Sequence, residues 1–274
     1  MDMTCKSPGE IAQGFACTIG VNKAKAGFMF LLIMGIFAGV YIAFGAQLAT
    51  IVGTGISDHV GFGIARFLTG AVFSVGLMLV VIAGAELFTG NNLIVLAVLD
   101  GKASFGGLLR NWTIVFIANF IGSLLLVYLI HYSGLLNMSG GAVGANAMAI
   151  ANAKVNLTFM QAFTRGILCN WLVCLAVWMS CSSKMVIGKI FAIFFPIMAF
   201  VASGFEHSVA NMYFIPIGML NKGAAFAQGM DLANLNMTGL LVTNLIPVTL
   251  GNIIGGAFFV GTLYHFVLLK GKKA

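Results

Sequence analysis

Long apolar runs separated by short polar punctuation dominate the chain. A helix needs about 20 consecutive apolar residues to cross a bilayer. Six runs qualify, at about 27–51, 63–99, 107–131, 157–181, 189–220 and 243–269. The second and fifth are too long for one straight crossing. Each is interrupted by a polar patch, "GAELFTGNN" (84–92) in one and "SGFEHSVANM" (203–212) in the other. The pattern predicts an all-α membrane protein of six transmembrane helices, with the second and fifth broken. Residues 1–26 precede the first crossing, and 7–25 are expected to lie as a helix in the membrane interface. Residues 27–269 form the transmembrane domain, and 270–274 a polar tail.

The two halves, about 27–131 and 157–269, resemble each other. "NWTIVFIANFIG" (111–122) aligns with "NLIPVTLGNIIG" (244–255), matching Asn111, Asn119 and Gly122 to Asn244, Asn252 and Gly255. "GIFAGVYI" (35–42) pairs more weakly with "GILCNWLV" (166–173), and Glu86 and Glu206 fall at similar places in the two broken runs. Three crossings per half is an odd number, so the second half is expected to be inverted relative to the first. Inverted repeats with paired broken helices point to a substrate path near the membrane midplane. The reading is a transport protein.

Composition agrees. The chain is 60% hydrophobic and 8% charged, against roughly 25% charged in a soluble domain. The net charge of +7 does not argue for nucleic acid, because the basic residues sit at the ends of apolar runs. With six crossings, Lys6, Lys23, Lys25, Lys102, Arg110, Lys184, Lys189, Lys270, Lys272 and Lys273 share one side with both termini. Arg66, Lys154, Arg165 and Lys222 fall on the other. The positive-inside rule makes the richer side cytoplasmic, as in a bacterial inner membrane. "MDMTCKSPGEIAQGF" shows no apolar core before a small-residue cleavage site, so no removable signal peptide is expected. The five cysteines (5, 17, 169, 174, 181) follow no metal-ligand spacing. No cofactor or metal is expected.

Chemistry is expected at the two breaks. Where a helix breaks inside a membrane, the freed backbone groups need protein or water partners. The half-helix that restarts offers its N-terminal N–H groups to an anion. Ser203 and Gly204 permit the second break, and His207 falls near the start of the next half-helix; Thr89, Gly90, Asn91 and Asn92 do the equivalent in the first. His207 reads as a hydrogen-bond or proton donor in the pore, against the alternative of a satisfied core histidine. Glu86 and Glu206 read as braces that accept loop N–H groups, together with Ser203, Gly204 and Asn211; the alternative is a proton relay. Asn170, inside the fourth run, faces the pore or bonds to another helix. Asn119, Asn244 and Asn252 read as interhelical glue. Lys154, in the outer loop, either gathers anions by steering or is an ordinary solvated lysine. Phe73, Leu77, Leu87 and Phe200 flank the breaks and are candidates for constrictions that exclude hydrated ions; packing or lipid-facing residues are the alternative.

Together, "AELFTGNN", "RNWTIVFIANFIGS", "GILCNWLVCLAVWM", "ASGFEHSVANM" and "NLIPVTLGNIIGG" resemble the formate/nitrite transporter family over about residues 20–268. The resemblance implies an aquaporin-like fold assembled as a homopentamer, with a separate pore in each protomer. The implied substrates are small monovalent anions: formate foremost, or nitrite or hydrosulfide, moving with protons. It also implies His207 as the central pore histidine and Thr89 as the loop threonine. Leu77 and Leu87 would form one constriction, with Phe73, Val173 and Phe200 lining the path. Lys154 would stand near the outer vestibule, and Asn170 would be the pore asparagine.

Two other classes fit the sequence less well. A neutral-solute pore of the water or glycerol type usually carries paired Asn-Pro-Ala boxes, and neither break contains one. An intramembrane enzyme built on His207 with Glu206, or on Cys169 with Ser203, is the least supported. Sequence neighbours on a helix do not face each other, and no triad or metal set is completed.

Overall fold

The computed structural model describes residues 5–270. Residues 1–4 and 271–274, with Lys272 and Lys273 of the charge count, lie outside them. Among the described residues all the named elements are helical. A surface helix, α1 (8–25), runs ahead of the bundle, opened by a capping box in which the Ser7 N–H donates to the Glu10 carboxylate at 2.7 Å. Its apolar face, with Ile11, Ala12 and Phe15, packs on Leu93, Leu96 and Trp178. The helix is therefore bound to the bundle as well as lying at its edge.

The bundle comprises α2 (Phe28–Gly53), α3 (Phe62–Gly84), α4 (Gly90–Leu99), α5 (Phe105–Ser133), α6 (Ala142–Val155), α7 (Phe159–Ser180), α8 (Val186–Ser203), α9 (Ser208–Leu220) and α10 (Gly239–Lys270). Six of these are long and apolar enough to cross a membrane: α2, α3, α5, α7, α8 and α10. The short α4 and α9 continue the broken runs. Large apolar side chains such as Phe28, Phe30, Phe37 and Phe44 stand exposed along α2, as a lipid-facing surface requires and a water-facing one does not tolerate over such an area. The stretch read as an outer loop contains α6, and Lys154 sits in its last turn rather than in irregular chain.

Both breaks fall at a glycine with positive φ, Gly84 (89°) and Gly204 (78°). Only glycine takes up this left-handed conformation without a Cβ penalty. Packing between crossings depends on a second glycine pair. A Cβ on Gly122 would collide with the Ile36 carbonyl oxygen, and one on Gly255 with the Ile167 carbonyl oxygen. Small residues there let α5 approach α2, and α10 approach α7, at backbone distance.

Candidate substrate path

Each break is held by one asparagine. In the first, Asn119 Oδ1 accepts the Phe88 N–H at 3.0 Å, and its Nδ2 donates to Gly35 O (2.7 Å) and Glu86 O (2.9 Å). In the second, Asn252 Oδ1 accepts the Ser208 N–H at 2.9 Å, and its Nδ2 donates to Gly166 O (2.8 Å) and Glu206 O (3.0 Å). The two asparagines are thus both interhelical glue and loop anchors. They satisfy the backbone groups that a broken helix frees at a depth where water is scarce.

The carboxylates repeat in the same way. Glu86 accepts from Lys23 Nζ at 2.6 Å and from Asn91 Nδ2 at 2.7 Å, and Asn91 Nδ2 also donates to Asn111 Oδ1 at 2.9 Å. Glu206 accepts from Lys154 Nζ at 2.9 and 3.1 Å and from Asn211 Nδ2 at 2.7 Å, and Asn211 Nδ2 donates to Asn244 Oδ1 at 2.7 Å. The sequence reading had loop N–H groups donating to these carboxylates. Lysine and amide side chains do so instead: the Phe88 and Ser208 N–H groups go to Asn119 and Asn252, and those of the glutamates to Met34 O and Arg165 O. Lys154 is no solvated loop lysine: it is ion-paired and lies 5.2 Å from the centre of the Phe214 ring. The Ser203 side chain is exposed and makes no hydrogen bond among the described residues. At that corner Arg66 does the work, with Nε donating to Ala202 O at 2.9 Å and Nη2 to Val201 O at 2.6 Å.

Three cavities adjoin through shared walls. We call the Lys154 side outer and the Lys23 side inner; the chain crosses three times between them. An outer vestibule of about 240 Å³ is walled by Lys154, Arg66, Arg165 and Glu206, among others, and reaches Phe73, Phe200 and His207. An inner vestibule of about 280 Å³ is walled by Phe15, Ile19 and Lys23 of α1 together with Glu86, and reaches Leu77 and Leu87. Between them is a chamber of about 10 Å³, room for about one water. Its walls are Ile42, Phe73, Leu77, Leu87, Val173, Ile197, Phe200 and His207. Phe73 and Phe200 line both chamber and outer vestibule, their rings edge to face with centroids 5.6 Å apart. Leu77 and Leu87 line both chamber and inner vestibule. Two apolar rings therefore enclose a pocket whose one polar wall is His207.

His207 caps α9: its Nδ1 accepts the Ala210 N–H at 3.1 Å. A ring nitrogen that accepts carries no hydrogen, so the proton of the neutral imidazole sits on Nε2. Nε2 lies 2.9 Å from Thr89 Oγ1 and donates to it, which leaves the threonine its own hydroxyl hydrogen. Thr89 is held in turn from behind, where Asn170 Nδ2 donates to Thr89 O at 3.2 Å and to Asn252 O at 2.7 Å. Cys174 Sγ donates to the same Thr89 carbonyl at 3.3 Å. Asn170 is fully buried and lines none of the three cavities, so its bonds run to the loop and to α10.

Lys23, Arg66 and Arg165 read in the sequence only as topology signals, and Ile42 and Ile197 carry no mark there. A register signal finds Lys23, Ile42 and Ile197. The bonds above relate 86 to 206 and 91 to 211 in the broken runs, and 34 to 165 and 35 to 166 in the preceding crossings. That spacing relates Lys23 to Lys154, Ile42 to Val173, Leu77 to Ile197 and Leu87 to His207.

Residues 10–266 match the family described as formate/nitrite transporter. The chain belongs to this family. It is 45% identical to the probable formate transporter of Methanothermobacter thermautotrophicus, over 98% of this chain and 100% of that one. It is 40% identical to the formate channel FocA of Escherichia coli K12, over 92% of this chain and 90% of that one. Among solved structures, a pentameric formate channel with formate bound superposes with a TM-score of 0.82 at 42% identity, covering 88% of this chain and 98% of that one. The formate/nitrite transporter family is one of transporters rather than enzymes. Its fold accounts for the six crossings and two broken helices seen here.

Proposed function

We propose that the protein is a channel for small monovalent anions, formate first, with nitrite or hydrosulfide as the alternative substrate. One pore runs through each protomer of a homopentamer in the bacterial cytoplasmic membrane, with both termini cytoplasmic and the two halves inverted. The observation that carries the reading is the one-water chamber between two apolar rings, with His207 its single polar wall and Thr89 2.9 Å behind. The formate-named relatives and the pentameric formate channel support the choice of substrate and assembly.

A hydrated anion reaching Phe73 and Phe200 finds no polar wall and must shed water. In the chamber the imidazole Nε2–H turns from Thr89 to the anion and replaces one of the lost hydrogen bonds. Bonds to a charged acceptor are roughly twice as strong as neutral ones. The charged form still meets a desolvation penalty at the next ring, and a neutral acid largely avoids it. His207 has no second proton to give, since Nδ1 is an acceptor and Nε2–H is engaged in the bond to the anion. The proton comes from water in the vestibule, so flux at fixed total formate rises as pH falls.

Uptake into proteoliposomes tests this, with formate, nitrite, hydrosulfide and glycerol compared between about pH 5 and 8, the window around neutrality in which histidine also titrates. Formate uptake that grows towards low pH, without glycerol uptake, is expected. Glycerol uptake without anion uptake would return the pore to the neutral-solute class.

A further inference from the structure

The duplicated framework shows where the two mouths differ. The residue related to Arg165 is Met34, and the residue related to Arg66 is Val186. Both arginines line the outer vestibule, and Met34 lines the inner one. The outer vestibule therefore has three cations, Arg66, Lys154 and Arg165, against one carboxylate, Glu206. Lys154 bonds to both oxygens of that carboxylate. The inner vestibule has Lys23 against Glu86 and no further charge. Arg66 commits two donors to the last carbonyls of α8. The half-buried Arg165 guanidinium has no hydrogen-bond or ion-pair partner among the described residues. A half-buried guanidinium offers five N–H donors in a fork suited to a planar carboxylate, and unbalanced positive charge in a cleft raises the local anion concentration.

From this asymmetry we propose that Arg165, backed by Arg66, forms an anion-docking site in the outer vestibule with no counterpart in the inner one. This inference rests on the anion-channel reading. The site takes monovalent carboxylates and comparably sized oxyanions, holding a permeating anion ahead of the Phe73–Phe200 ring. It also holds anions too wide to pass that ring, which makes it a site of one-sided block.

The probe is benzenesulfonate, a monovalent anion wider than formate, added to one side of membrane vesicles of known orientation during formate flux. Wild type should be inhibited at lower concentration from the Lys154 side than from the Lys23 side. Arg165→Met should raise the outer half-inhibiting concentration about two- to fivefold, the range of a partly exposed ion pair, and leave inner block unchanged. Arg165→Lys should restore most of the outer block, and Met34→Arg should sensitise the inner side. Raised salt should shrink the sidedness. Equal potency from both sides, or outer block unmoved by Arg165→Met in a protein that still passes formate, overturns the docking site alone. Absence of formate flux through the wild type overturns the channel reading and this one with it.

Discussion

Replacing Lys154 with methionine would remove the cation from a pair whose side chains are 13% and 5% exposed. The Glu206 carboxylate would keep the Asn211 amide at 2.7 Å and, more weakly, Asn244 Nδ2 at 3.5 Å. Breaking a buried pair by deleting one partner costs about 3–5 kcal/mol, because the remaining charge is stranded. At roughly 2–4 °C per kcal/mol for a protein of this size, the melting temperature should fall by about 6–20 °C. Lys23→Met acts on the related pair, but that lysine is 26% exposed. Water can solvate Glu86 there, and the cost drops to about 1–2 kcal/mol. Adding Glu206→Gln to Lys154→Met removes the stranded charge while leaving an amide oxygen for Asn211. The double variant should therefore regain much of the loss, a coupling of about 2–3 kcal/mol. Thermal unfolding of the detergent-purified protein, followed by the fluorescence of its three tryptophans, reads these three variants and the Glu206→Gln single. A Lys154→Met protein melting within about 2 °C of wild type, or a double variant losing the sum of the singles, would refute the argument that the pair braces the loop.

Other positions give separate expectations. Gly204→Ala puts a Cβ on a residue at φ 78° and should cost about 1–2 kcal/mol, seen as a drop of a few degrees in the same melt. Gly122→Ala and Gly255→Ala should be far worse. Each Cβ meets a backbone carbonyl rather than a flexible side chain, so the yield of monodisperse protein in size-exclusion chromatography should collapse. Thr89→Val should lower formate flux, because His207 Nε2 loses the partner that orients it at 2.9 Å, while Thr89→Ser should stay within a few-fold of wild type.

Much of the fold was legible because a bilayer leaves few alternatives. Run length marked the crossings, and an ionisable residue inside an apolar run marked each break. His207 and Thr89 could be expected near one another because paired breaks in a repeated membrane fold converge, and they lie 2.9 Å apart. What stayed hidden depends on contacts between distant segments. Lys23 is far from Glu86 in sequence and sits in a short amphipathic stretch that reads as interface. Asn170 could face the pore or another helix on any one-dimensional pattern, and only the packing of the Thr89 and Asn252 carbonyls around its amide decides. The chamber walls were half visible. Their logic needs the register that relates Leu87 to His207 and Val209 to Thr89, showing that the polar centre arises where two otherwise matching halves differ.

The most direct test takes that difference away. His207→Leu installs the residue already present at the related position, Leu87, and makes the chamber walls wholly apolar. His207→Asn keeps an N-cap for α9 while removing the imidazole, which separates loss of the pore group from loss of the cap. Initial formate uptake into proteoliposomes is then compared for wild type and both variants, each first shown to be folded by its melt. The account predicts that both variants lose at least about tenfold in formate flux, the cost of one charged hydrogen bond. A His207→Leu protein that passes formate at the wild-type rate would contradict the claim that the chamber's polar wall carries the anion across.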